Sequence, residues 1–154
     1  MVDPSRQETL RRAIELLFFG YREFTDRPDR ILERRGLGRV HHRILYFVGR
    51  NPAVSVKGLL EILAVSKQAL SVPLRQLTEM KLVAVLAGTS DRRVKRLVLT
   101  PEGRRLEADL TGTQMRRLSA AFEAAGDDDE AGWMRVMERL ARTELQPSSP
   151  AGAA

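Results

Sequence analysis

Apolar residues fall at helical spacing in several separate stretches of the chain, and the residues between them predict where each helix starts and stops. Near the beginning, Leu10, Ala13, Ile14, Leu17, Phe18, Tyr21 and Phe24 recur every three or four positions, with Arg11, Arg12, Glu15, Arg22 and Glu23 off the stripe. Leu16 and Phe19 widen the stripe beyond one core contact. The helix is therefore expected to bury two faces, one against its own domain and one against a partner subunit. Ser5 and Glu8 have the spacing of a capping box that would start it. Pro28 is expected to break it, because the residue before a proline is disfavoured in helical conformation, and Asp29 would cap a short helix running to residue 35.

Further helices and one hairpin follow from the same pattern. A helix over 39–50 buries Val40, Ile44, Leu45, Phe47 and Val48. Ser55 caps the next, with Leu59, Leu60, Ile62 and Leu63, and Ser66 caps another with the core stripe Leu70, Leu74 and Leu77. Two short helices joined by so short a turn have the layout of a helix-turn-helix. From Leu82 the chain is rich in aliphatic and β-branched residues over 83–87 and 94–99, with turn chemistry at 88–91, which predicts a β-hairpin. Thr100, Pro101 and Glu102 open a helix carrying Leu106, Leu110, Met115, Leu118 and Phe122, which Gly126 interrupts. Acids at 127–130 suit the positive end of a last helix, with Trp133, Val136, Met137, Leu140 and Ala141 on one face. The predicted fold is mostly α with a small β-hairpin wing. A winged helix-turn-helix occupies 36–102, the helices of 1–35 and 103–145 serve dimerisation within one intertwined domain, and 146–154 forms a disordered tail.

Charge adds a direction to this outline. The chain carries a net +6, yet residues 36–105 hold 13 basic and 4 acidic side chains, a net of +9. That concentration over the helix pair and hairpin is the electrostatic footprint expected for a polyanion, with nucleic acid first among candidates. There is no Cys among 154 residues, which excludes disulfides, Cys-based zinc sites and thiol redox sensing. No apolar run approaches the ~20 residues of a membrane span, and residues 1–6 lack the apolar centre of a secretory signal, so a cytoplasmic protein is expected.

In a helix-turn-helix the second helix enters the major groove by its N-terminal end, where backbone N–H groups also favour phosphate. Ser66, Lys67, Gln68, Ser71 and Arg75 lie off the leucine stripe and are expected to face duplex DNA. Gln68 is suited to adenine, and Lys67 or Arg75 to guanine or a phosphate. At the hairpin, Asp91-Arg92-Arg93 followed by Lys95-Arg96-Leu97-Val98-Leu99-Thr100-Pro101-Glu102-Gly103 resembles the wing motif of the MarR family of bacterial transcription regulators. Val65-Ser66-Lys67-Gln68-Ala69-Leu70 and Leu74-Arg75-Gln76-Leu77 resemble its recognition helix. The resemblance implies a repressor, or less often an activator, that responds to a small aromatic or phenolic effector, and the two-fold symmetry of the expected homodimer predicts a pseudo-palindromic operator. It implies that Arg93 enters the minor groove and that Asp91 steadies the wing, with Arg92 and Lys95 beside them at the DNA.

The pattern departs from the family at Pro73, expected to kink or loosen the recognition helix, and at Lys81 and Val85, where Gly and Arg are common. Pro73 is also the ground for a second reading, a protein-interaction module that has lost operator reading. His41 and His42 diverge by about 100° on a helix and cannot chelate one metal, so packed or surface histidines are expected, with a place in an effector pocket as the functional alternative. Trp133 and Met137 are expected in the core or at a dimer contact. With no nucleophile, metal cluster or phosphate loop in the sequence, neither an enzyme nor a cofactor is expected.

Overall fold

A computed structural model describes residues 3–88, 90–91 and 93–141. The predicted tail at 146–154 and Arg92 lie outside the described residues. The order is α1 (Pro4–Glu33), α2 (Arg39–Arg50), β1 (Val54–Ser55), α3 (Val56–Leu63), α4 (Lys67–Glu79), β2 (Val83–Ala87), β3 (Lys95–Leu99), α5 (Pro101–Ala125) and α6 (Asp127–Ala141). One compact unit ends at Met115 and a second begins at Arg116, within α5.

Helix α1 departs from expectation at both marked positions. It begins at Pro4, whose missing N–H costs nothing in a first turn, so Ser5 lies inside the helix and its hydroxyl donates to the Asp3 carboxylate. The Ser5–Glu8 capping box is not formed. The helix also runs through Pro28 to Glu33, and the short separate helix at 29–35 is the end of α1. Tertiary packing outweighs the local penalty here. Pro28 is fully buried, Thr25 one turn earlier is buried with its hydroxyl donating to the Tyr21 carbonyl at 2.9 Å, and Leu32 one turn later is completely enclosed.

From α2 to α4 the predicted elements form as expected. Ser55 accepts the Gly58 N–H at 2.9 Å and Ser66 accepts the Ala69 N–H at 3.1 Å, each satisfying a donor that a helix start leaves open. Helix α4 continues through Pro73 without interruption, from Lys67 to Glu79. Leu70 and Leu77, buried on either side of the proline, hold both halves against the core. Lys81 follows α4 in the left-handed region at φ 58°, where its N–H bonds the Thr78 carbonyl and the Leu82 N–H bonds the Leu77 carbonyl at 2.9 Å. This closure favours glycine, and a lysine there carries strain of about 1–2 kcal/mol.

The sheet has the order β1-β3-β2 with both pairings antiparallel. Val83 opposes Leu99 and Ala87 opposes Lys95, which places Leu97 and Leu99 in the core beside Val83. The two-residue β1 has no counterpart in the predicted elements: Val54 and Ser55 show no alternation, and they become a strand only by pairing with Leu97 and Arg96. Thr100 then joins the wing to α5. Its N–H and hydroxyl bond the Leu82 and Lys81 carbonyls at 3.1 and 2.7 Å, and the same hydroxyl accepts the Gly103 N–H at 3.0 Å. Gly103 packs so closely on this corner that a Cβ would lie 1.9 Å from the Leu82 oxygen.

Two elements keep apolar faces uncovered. In α1, Ile14 is 68% and Phe18 63% exposed; in α6 no residue is buried. Trp133, expected in the core or at a dimer contact, packs edge-to-face on Phe122 at 5.4 Å but remains exposed, so it is not a core residue of the single chain.

Gly103→Ala is expected to lower stability by about 3 kcal/mol, because the clash is with backbone that cannot step aside. Lys81→Gly is expected to raise it by about 0.5–1 kcal/mol by relieving the left-handed lysine. Urea unfolding midpoints of the two variants check both signs.

Candidate nucleic-acid interface

The rotation of α4 about its axis is set by what it buries. Leu70 and Leu77 point into the core, and on another side the Gln76 side-chain carbonyl accepts from His41 Nε2 at 2.7 Å. Lys67, Gln68, Ser71 and Arg75 are left exposed, as predicted. Ser66 stands at the entry of the helix with its hydroxyl engaged in the cap. The positive end of the α4 dipole and the unpaired N–H groups of its first turn therefore lie beside Lys67.

The wing tip is closed by Asp91. Its carboxylate accepts the Arg93 N–H at 2.9 Å and its backbone carbonyl accepts the Val94 N–H at 3.1 Å, while Gly88 N–H bonds the Val94 carbonyl at 2.8 Å. A Cβ at Gly88 would lie 2.5 Å from the Asp91 oxygen, so only glycine lets the two strands close here. Arg93 and Lys95 are exposed beyond this turn. Arg96 is turned elsewhere: it is half-buried and donates to the Ala53 carbonyl at 3.4 Å, holding the loop before β1.

Between α4 and the wing lies a groove of about 610 Å³. It brings together Lys67, Ser71, Arg75, Arg93 and Lys95 from the predicted set, over apolar side chains that include Leu74, Val85 and Leu97. Ser66, Gln68 and Asp91 do not line it. Lys57, from the first turn of α3, lines it and is absent from the predicted set; its signal in the sequence is a basic residue two positions after a helix cap, within the basic stretch. Glu79 also lines the groove, paired loosely with Arg75 at 3.9 Å, both side chains about two-thirds exposed. A surface pair of this kind is worth less than about 1 kcal/mol, so a phosphate can take Arg75 from it. Among the described residues, five cations against one carboxylate around an open groove make a surface for a polyanion.

The two histidines are packed. The Gly38 N–H donates to His41 Nδ1 at 3.0 Å, which leaves the Nε2 proton for Gln76. On the other side of α2, His42 Nε2 bonds the Thr111 hydroxyl at 3.3 Å, and that hydroxyl donates to the Glu107 carboxylate at 2.6 Å. Among the described residues no group of three His, Cys, Asp or Glu side chains could hold a metal ion. None of the helices among the described residues is long and apolar enough to cross a membrane.

Comparison with known proteins agrees with this geometry. Residues 35–94 match the sequence pattern of the MarR family. The chain is 43% identical over 133 residues to the HTH-type transcriptional regulator PetP of Rhodobacter capsulatus, a match covering 86% of this chain and 80% of that protein. Its fold is similar to that of Streptococcus pneumoniae FabT, solved in complex with DNA, with a TM-score of 0.74 at 17% identity over 86% of this chain and 95% of the other. It is also similar to NadR, solved in complex with 4-hydroxyphenylacetate, with a TM-score of 0.69 at 22% identity over 83% and 91% of the two chains.

Burial lowers the His42 pKa from its ordinary 6.5, against the opposing pull of Glu107 and Asp29. The unfolded chain therefore takes up this proton at a higher pH than the folded chain. Stability from a neutral His42 is complete above its unfolded pKa and is lost as pH falls below it. The urea midpoint of the wild type should drop more than that of His42→Gln between about pH 7.5 and about pH 5.5; equal drops would count against this origin.

Proposed function

The chain belongs to the MarR family of HTH-type transcriptional regulators, and from that membership we propose that it is a sequence-specific repressor acting as a homodimer on a pseudo-palindromic operator. The observation that carries the reading is the basic surface of α4 and the wing, where Lys67, Ser71, Arg75, Arg93 and Lys95 surround one groove. In this reading 36–102 binds DNA. Each subunit lays the first three turns of α4, with Lys67, Gln68, Ser71 and Arg75, in a major groove and sets Arg93 beside it at the minor groove. Arg92 belongs to the same proposed interface. Asp91 holds the Arg93 backbone, and Ser66 caps the helix that carries the reading residues. The FabT complex with DNA supports the choice of ligand.

The regions 1–35 and 103–145 are proposed to pair two copies. The uncovered apolar faces of α1 and α6 support this, since each large side chain that a second copy buries contributes roughly 1.5–3 kcal/mol. Two-fold symmetry then sets half-sites about one DNA turn apart. NadR with 4-hydroxyphenylacetate supports a small aromatic effector that alters operator affinity, and the cytoplasm is the proposed compartment. The alternative of an interaction module without operator reading depends on a recognition helix loosened at Pro73, and a continuous α4 favours the DNA-binding reading over it.

Binding to a duplex selected by the wild-type chain from a random pool, measured over a range of salt, tests the reading. Lys67→Ala and Arg93→Ala should each weaken binding and flatten the log–log salt dependence by about 0.9 for every phosphate left without its cation. Unchanged affinity and slope in both variants would contradict it. Sedimentation at about 10 μM should give twice the mass of one chain, with Phe18→Asp shifting it toward one; a wild-type monomer would contradict the pairing.

A further inference from the structure

Helix α4 exposes a hydrophobic side chain at its outermost point. Val72 is 48% exposed and takes no part in the core. At 100° per residue it lies opposite the Leu70 and Leu77 face, one turn after Gln68 and three residues before Arg75. The burial of those leucines and the 2.7 Å bond from His41 to Gln76 fix the rotation that turns Val72 outward. A β-branched residue at an exposed helix position loses rotamer freedom and adds nothing to the core, so its methyl groups are open to contact from outside.

Its surroundings identify what matches it. Val72 shares a face with Gln68 and Arg75, beside the cations of the groove, so the surface that meets it is that of a polyanion. An isopropyl group cannot accept or donate to base edges or phosphates. In the major groove the apolar feature among the base edges is the C5-methyl of thymine. We propose that Val72 is a specificity-determining residue that packs on a thymine C5-methyl in each half-site, adjacent to the base met by Gln68. The stiffness of valine at χ1 keeps the methyl groups presented before DNA arrives, so little freedom is lost on binding. The inference rests on the DNA-binding reading above and adds a base to it.

The test uses the full chain and a duplex selected by the wild type from a random pool. Each thymine is replaced in turn by deoxyuridine, which removes the C5-methyl and keeps the hydrogen-bonding edge. At one thymine per half-site the wild type should lose about fourfold in affinity, the equivalent of one buried methyl. Val72→Ala should bind the thymine and deoxyuridine duplexes about equally, and Val72→Thr, which keeps one methyl, should fall between. Neither variant's urea midpoint should fall appreciably below the wild type's, because the side chain is outside the core and alanine is the better helix former. Indifference of the wild type to every replacement, or an equal loss in Val72→Ala, overturns the proposal while leaving DNA binding intact. Failure of the wild type to select any duplex overturns both.

Discussion

Helix α5 starts so close to the backbone of Leu82 that the Cα of Gly103 has room for hydrogen alone, a Cβ lying 1.9 Å from the Leu82 oxygen. Much of the winged region is organised around that close approach. Leu82 closes the end of α4 through its N–H and starts the wing, while its carbonyl accepts from Thr100, where the wing returns. The end of α4, strands β2 and β3 and the first turn of α5 are thus joined at one backbone corner. Each hydrogen bond there contributes only about 1 kcal/mol, but leaving the backbone groups of the buried Leu82 unpaired costs more, so the corner has one good arrangement. The consequence is geometric: the angle between α4 and the wing is set by backbone, and with it the separation of Lys67 and Arg75 from Arg93 and Lys95.

Electrostatics contributes little to holding this arrangement. The pairs Arg30–Asp26, Arg39–Asp29 and Arg75–Glu79 lie at the surface, where each is worth about 1 kcal/mol or less. The excess positive charge of 36–105 repels itself in the free chain and is repaid only by an anionic ligand. The apolar faces of α1 and α6 are in a similar position. A helix whose residues 4–23 are all exposed gains little tertiary packing there beyond the contacts of Tyr21 with Arg39 and Arg43, and most helical stability in proteins comes from such packing. Both features are costs to the isolated chain that the proposed partners, duplex DNA and a second copy, offset.

The parts legible in the sequence are those decided by neighbours along the chain. Ser55, Ser66 and Thr100 cap helices because a hydroxyl three residues from an open N–H needs no distant help. The leucine stripe of α4 and the aliphatic runs of β2 and β3 place the helix-turn-helix and wing correctly. The features that local pattern misses are decided by distant packing or by backbone that the pattern does not record. Pro28 stays helical because it is buried, Lys81 stands left-handed because the corner at Leu82 demands it, and β1 exists only by pairing with β3. His41 and His42 are packed as expected, yet their partners Gln76 and Thr111 are 35 and 69 residues away, beyond any local signal. Local pattern does not mark Lys57 or Val72, for opposite reasons: one is a basic residue on α3, outside the second helix of the pair, and the other an apolar residue on the polar face of α4.

Amide hydrogen exchange of the full chain, with and without a selected duplex, tests most directly whether DNA sits on the surface formed by α4 and the wing. Slowed exchange should concentrate in residues 66–75 and 93–95, with the exposed face of α1 unchanged at equal dimer occupancy. Slowing confined to α1 or α6, with α4 and the wing unaffected, would contradict the account.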